Sequence, residues 1–520
     1  MRRVAPALLV FVYTFAALAF YARSQPLGSG FLDPVSRIES QDEAVYAHIS
    51  IRMAERGEWL TPYFLDRFFL YKPPLLYWLS GFTAMITSKP GGVSAFSLRI
   101  PSLVAGAFVA VLVFLWVRQS AGTPRAVVSG IFLLLSPLFL NLSGRVMTDS
   151  LLTLFLLLAL WILNIDPQIT RLSNAIAYSV TTTAAILTKS AAGVLPLFVL
   201  GLWFLFSSPR PKLLRVILIG VAAFLGAAPW FLYQYVVHPR WFWAEFVQIE
   251  LLAYGAGAPP QTSPESGALF YSYRLFMLAP LLVCALVPAL PRLLRSRSGS
   301  SRQVLLPLLA VLLLTVCVAG YQYRNAAYLL PFLPLIAILC GVARPHWTLL
   351  AAAPIALVFV PLRPPTPPSS ATVGALEHYR ALGRPNDLVI VDAEDQFHAT
   401  TLPLPRVRYA FPGSGQPAEG FALDFRRMGI VVSAANFKQG DLHRAHYRQQ
   451  MLRWGLPNDR AYASVIAFAS SEQLGDLIRS SPGIDFLLHE KFQAYLTSVP
   501  HSIVTNSRPV LLLLGPGASH

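Results

Sequence analysis

Two carboxylates and two lysines stand at the edges of apolar segments, where a charge is costly unless it is paired, hydrated or functional. Asp42 opens Asp42-Glu-Ala-Val-Tyr46, Lys72 precedes Pro73-Pro74, Asp149 ends Gly144-Arg-Val-Met-Thr-Asp149, and Lys189 sits in Leu187-Thr-Lys-Ser190. A carboxylate can take the proton of an attacking hydroxyl, and an ammonium can hold a phosphate as it leaves. With the aromatic-basic turn that holds Arg324 and runs on to Tyr328-Leu-Leu-Pro331, these groups suit a lipid phosphate and an acid-base reaction, provided they share one membrane face. Each also has a plainer account. Asp42 can complement a helix dipole, worth ~0.3–1 kcal/mol, Arg145 can pair with Asp149 four residues on, and Lys72 can snorkel to the interface.

The elements that must position these groups begin at Ser40-Gln-Asp-Glu43. This is capping-box spacing, in which the Ser40 hydroxyl takes the amide three residues on and the Glu43 carboxylate reaches back. A helix therefore starts there. Asp42, Tyr46, Ile49 and Met53 then share one mostly apolar face, and Glu43, Glu55 and Arg56 stay solvated. Gly57 ends the helix, and Thr61-Pro62 turns the chain towards Tyr71-Lys72-Pro-Pro, where two prolines fix the backbone directly after the lysine.

Around this polar stretch the 520-residue chain is 55% hydrophobic and only 13% charged, with mean hydropathy +0.54. That composition belongs to a polytopic α-helical membrane protein. The net charge of +16 is spread over short loops, so it reads as a topology signal and an attraction to membrane lipids, with no nucleic acid partner implied. Cys284, Cys317 and Cys340 fall inside apolar runs and suggest neither a disulfide framework nor a zinc site. After Arg2-Arg3 a first span runs to about Ala22. Further spans are expected near 97–117, 126–142, 149–165, 174–188, 190–207, 214–237, 268–290, 304–320, 326–343 and 346–362, about eleven in all. Arg118, Arg125, Arg171, Arg210, Lys212, Arg215, Arg292, Arg295, Arg297, Arg302 and Arg344 alternate onto the side of Arg2 and Arg3, the cytoplasmic side by the positive-inside rule. The long loop 23–96, the loop 238–267 and the C-terminus then lie outside, in the periplasm of a diderm cell.

Residues 361–369 read as a stiff proline-rich linker. Short apolar runs follow at 387–392, 429–433, 464–468, 483–488 and 510–514, with helix-like stretches between, so the expected plan is a transmembrane domain over 1–362 and a soluble extracytoplasmic α/β domain over 363–520. No nucleotide fingerprint is present, because Gly255-Ala-Gly257 and Gly413-Ser-Gly415 lead into prolines. Asn141-Leu-Ser143 is a weak match to a glycosylation sequon.

Asp42-Glu-Ala-Val-Tyr46, Trp59-Leu-Thr-Pro62, Tyr71-Lys-Pro-Pro-Leu-Leu-Tyr-Trp78, Phe96-Ser-Leu-Arg-Ile-Pro101, Gly144-Arg-Val-Met-Thr-Asp149 and Tyr328-Leu-Leu-Pro331 together resemble the multispan GT-C glycosyltransferases over about the first 340 residues. The nearest likeness is to the bacterial aminoarabinose transferase of lipid A, with the protein O-mannosyltransferases further off. The resemblance implies transfer of a hexose or pentose from a polyprenyl-phosphate carrier to a lipid, glycan or protein acceptor on the outer face of the inner membrane. It also implies a catalytic role for Asp42 with Asp149 in support, a donor-phosphate role for Lys72 aided by Arg324 and Tyr328, and supporting places for Glu43, Tyr46, Tyr71, Arg145 and Lys189. The aminoarabinose enzymes favour arginine where this chain has Val45, and glutamate where it has Tyr71. Loss of that acid argues against a cationic aminosugar donor and removes a ligand for the divalent metal such a site could bind. Two other function classes are open. One is a lipid or glycan transporter or flippase, which expects ionisable groups near the bilayer midplane and repeated broken helices, neither of which is evident; the other is a catalytically silent GT-C-like assembly protein.

Overall fold

The structure, a computed structural model, describes residues 5–25, 27–35, 39–40, 42–64, 67–87, 93–253, 267–295, 302–320 and 324–343, and beyond these only six strands. Seven helices among the described residues are long and apolar enough to cross a membrane, and two bent pairs raise this to nine. The helices that frame the site are α1 (Ala5–Arg23), α2 (Asp42–Arg56), α3 (Leu75–Thr87), α4 (Ala95–Ala121), α5 (Thr123–Leu134), α6 (Pro137–Ser143), α7 (Thr148–Ile165), α8 (Leu172–Lys189), α9 (Leu195–Phe206) and α10 (Leu213–Val237). Their packing follows their sequences. Helix α4 is apolar all round and buried at the centre against α1, α5 and α7, whereas α1 and α10 turn Leu8, Val12, Phe20, Leu214, Leu225 and Val236 outward, as lipid-facing helices do.

The stretch 172–206 is not one long rod. The Tyr178 hydroxyl donates to the Pro196 carbonyl at 2.6 Å, and the Trp203 indole donates to the Pro167 carbonyl at 2.8 Å, contacts that a straight helix rising 1.5 Å per residue cannot make. The chain therefore reverses between α8 and α9. Gly193 permits the turn, since a Cβ there would lie 2.2 Å from the Ala185 carbonyl oxygen.

Side-chain contacts sort the loops onto two ends of the bundle. At one end Trp116 donates to the Gln303 carbonyl, Arg125 to that of Val342, Asn164 to Gln119 and Arg215 to the Ile169 carbonyl. The expected basic loops near 118–125, 171, 210–215 and 302 meet there. The opposite end carries α2, α3 and the chemistry-bearing residues.

Three expectations need correction. Helix α2 does begin at Asp42 and end before Gly57 (φ +71°), but Ser40 takes the Asp42 amide, two residues on, at 3.4 Å. Glu43 does not reach back to Ser40, nor is it solvated; it is buried, drawn inward by two arginines. Arg145 does not pair with Asp149. The sequon residue Asn141 is buried as well, bonded to Tyr21 and Arg145.

In the C-terminal region the described strands form a mixed six-stranded sheet in the order β2 (Arg408–Tyr409), β3 (Arg427–Val431), β1 (Leu388–Asp392), β4 (Phe486–His489), β6 (Leu511–Leu514), β5 (His501–Ile503). The β2, β3, β1 and β4 neighbours run parallel, and β6 is antiparallel to β4 and β5. Four expected apolar runs supply strands. The run 464–468, the linker 361–369, the span 346–362 and both glycine pairs lie outside the described residues.

Candidate active site

A buried ionic knot fixes the N-terminus of α2. Arg99, on α4, grips Glu43 through two bonds of 2.7 and 2.9 Å, and Arg145 adds a third at 3.0 Å. The amides of Gly28 and Val146 also donate to the same carboxylate. Arg99 further bonds the carbonyls of Ala22 and Gln25, and Arg145 bonds Ser29 and Asn141. Burial alone would raise the Glu43 pKa, but the two guanidiniums outweigh it and hold it below the ordinary 4.5. Supporting roles expected for Glu43 and Arg145 thus become one structural device joining the end of α1, α2, α4 and the loop before α7.

Anchoring Glu43 inward leaves Asp42, one residue earlier, half-buried on a neighbouring face. The Asp42 carboxyl is raised above the ordinary 3.8 by burial first and by the charge of Asp149 next, against the opposing charges of Lys189 and Lys72 and a hydrogen bond from Ser40. Asp149, Lys189 and Lys72, from three other parts of the chain, therefore all stand near enough to Asp42 for their charges to act on it. Asp149, in the first turn of α7, is paired with Lys189 at 2.7 Å. The Lys189 ammonium also stands 4.9 Å from the centre of the Tyr328 ring, a cation–π contact.

Lys72 forms an ion pair with Glu250. Glu250 belongs to a π-helix, Phe242–Ala253, whose Glu245 accepts the Leu70 amide at 2.7 Å. Leu70, Phe242 and Phe246 pack into one apolar cluster beneath. This segment holds both the lysine and the backbone two residues before it. Sequence reasoning placed Glu250 in an outer loop but gave it no role; its signal is an acid within an aromatic run, with nothing local to say that Lys72, 178 residues away, is its partner.

Tyr46, one turn after Asp42, is buried, and its ring lies 5.7 Å from that of Tyr77 on α3. Tyr71 packs on Phe69 at 5.0 Å between ring centres, and Arg324 stands close enough to Tyr271 for its charge to be felt there. A further buried pair, missed in the sequence, joins Arg274 to Asp33 at 2.6 Å while the guanidinium stacks on Phe270 at 3.5 Å. Among the described residues no three or more acidic, histidine or cysteine side chains gather where they could hold a metal ion.

Known proteins resemble this chain in sequence and in fold. The profile of the family Dolichyl-phosphate-mannose-protein mannosyltransferase matches residues 71–235. An undecaprenyl phosphate-alpha-4-amino-4-deoxy-L-arabinose arabinosyl transferase of Pseudomonas aeruginosa is 30% identical over 58% of this chain and 54% of its own length. The enzyme of that name from an Enterobacter species is 29% identical over 60% of this chain and 56% of its own, and an uncharacterized protein of Aquifex aeolicus is 31% identical over 40% and 41%. The chain thus spans about half the length of the curated relatives it matches. The crystal structure of ArnT from Cupriavidus metallidurans bound to undecaprenyl phosphate superposes over 99% of both chains with a TM-score of 0.66 at 17% identity; the apo form of that protein gives 0.62. The fold is the GT-C membrane fold.

Proposed function

We propose that this chain is an integral-membrane, inverting glycosyltransferase that moves a hexose or pentose from a polyprenyl-phosphate carrier to a lipid, glycan or protein acceptor on the extracytoplasmic face of the inner membrane. The observation that carries the reading is the mutual field of Asp42, Asp149, Lys189 and Lys72 at one end of an apolar bundle. An elevated carboxyl pKa brings Asp42 nearer to that of a useful general base, and the lysines are the charges a phosphate needs. The family match and the transferases among its relatives supply the reaction class.

In the proposed step the acceptor oxygen attacks the anomeric carbon, its proton passes to Asp42, and the bond from that carbon to the phosphate oxygen breaks with inversion. The electron pair leaves on the carrier phosphate, where Lys72 and Lys189 stabilise it. Glu250 neutralises Lys72 in the protein alone, so an arriving phosphate must compete with a carboxylate for it. The acid missing at Tyr71 is in this way supplied from a distant element. We propose a supporting place for Asp149, which holds Lys189, and for Arg324 and Tyr328 at the carrier headgroup. We read the full plan as about eleven passes, with the α8–α9 reversal counted as two and 346–362 as the last, followed by an extracytoplasmic α/β domain over 363–520.

The test uses the full chain in lipid nanodiscs with isotope-labelled sugar on polyprenyl phosphate. Asp42→Asn should keep the fold and the binding of the carrier while transfer falls by roughly 10²–10⁴-fold. Transfer near the wild-type rate would remove Asp42 from the reaction.

A further inference from the structure

Tyr77 follows Lys72 by five residues, on the first turn of α3 after the two prolines. Its side chain is fully buried, yet its hydroxyl has no hydrogen-bond partner among the described residues. A buried phenol left in this state costs free energy unless something else completes its bond. Tyr178, equally buried, satisfies its hydroxyl on the Pro196 carbonyl. The surroundings of Tyr77 show what could complete the bond. Its ring stands 5.7 Å from Tyr46, one turn beyond Asp42, and the carboxylates of Asp42 and Glu250 are the charges that act on it. Burial first, and then these two anions, hold its pKa well above 10, so at neutral pH the group is a donor and not a base. A phosphate is drawn to the lysines and away from two carboxylates. A neutral polyol suits the place, since its hydroxyls can donate to the acids and accept from the phenol.

We propose that Tyr77 is a sugar-binding residue, whose O–H is completed by a hydroxyl or ring oxygen of the transferred saccharide when the donor binds between Asp42 and the Lys72–Glu250 pair. The inference rests on the proposed transfer reaction and names where its sugar sits.

Tyr77→Phe removes one oxygen and nothing else, and the full chain in nanodiscs supplies three readings. With the labelled polyprenyl-phosphate sugar, the KM for donor should rise about tenfold, the equivalent of one hydrogen bond of roughly 1.4 kcal/mol, with a smaller change in kcat. Binding of sugar-free polyprenyl phosphate should be unchanged, and the unfolding temperature should be equal to or higher than that of the wild type, because the hydroxyl is bonded to nothing among the described residues. Wild-type donor kinetics overturns the proposal. So does an equal weakening of the sugar-free carrier, which would assign the hydroxyl to the phosphate. A lower unfolding temperature, or failure to fold, makes the hydroxyl structural and overturns it too. If the wild-type protein transfers no sugar from any polyprenyl-phosphate donor, the reaction itself is wrong and this inference falls with it.

Discussion

At the residue scale the charges around Asp42 predict a pH profile with a direction. As a base Asp42 must be ionised, and its carboxyl is raised above 3.8, so transfer should climb with pH along an acid limb that lies above the ordinary aspartate value. The neighbours predict opposite displacements of that limb. Asp149→Asn removes a like charge and leaves Lys189 unneutralised, both of which favour the ionised base, so the limb of the residual activity should move to lower pH. Lys189→Met removes an attractive charge and frees the Asp149 carboxylate, so it should move to higher pH. Transfer rates of the three proteins across pH check this; limbs that coincide, or shift in the same direction, would break the link between the two acids. Much of the site was legible at this scale. Asp42, Lys72, Asp149 and Lys189 each break an apolar pattern, and a charge out of place is visible without a fold. Glu43 and Glu250 were not, because their partners lie 56 and 178 residues away. A capping box is a local pattern, and for Glu43 two buried guanidiniums outweighed it.

At the element scale the knot around Glu43 sets where Asp42 stands, since it ties α2 to α4 and to the loop before α7. Removing one partner of a buried ion pair leaves the other charge uncompensated at a cost of ~3–5 kcal/mol. Glu43→Gln keeps the shape but leaves Arg99 and Arg145 without their anion. Its expected outcome is a clear fall in unfolding temperature and loss of transfer together, measured on the purified protein in nanodiscs; a midpoint within about 1 °C of the wild type would deny the knot its role. Acid should mimic the substitution. A carboxylate with a depressed pKa contributes stability in full above its unfolded value, ordinarily 4.5, and this is lost as pH falls through the lower folded value. The elements themselves were largely readable, because spans are a matter of apolar length. The start of α2 and its end at Gly57 were visible too. Less visible were the 70° and 111° bends that break the apolar segments at 123–143 and 269–291, and the π-helix. Each bend falls at a proline, Pro137 or Pro280, which marks the break in the sequence but not its angle.

At the scale of the whole molecule the ends of the bundle differ in kind. One gathers arginines that bond backbone carbonyls, as Arg125 and Arg215 do; the other gathers acids and lysines around Asp42. By the positive-inside rule the basic loops are expected on the cytoplasmic side. The proposed reaction then requires the Asp42 end to lie outside, where a carrier would present its sugar. Glu55, exposed at the end of α2, and Arg210, exposed beyond α9, mark the two ends. In a background with Cys284, Cys317 and Cys340 replaced, Glu55→Cys should react with a membrane-impermeant maleimide in intact spheroplasts, and Arg210→Cys should react only after lysis. The reverse pattern would put the site on the cytoplasmic face, where nucleotide-activated sugars are the available donors. A polyprenyl-phosphate carrier would then have no topological reason to be the substrate, and the case for Lys72 as its anchor would fail with it.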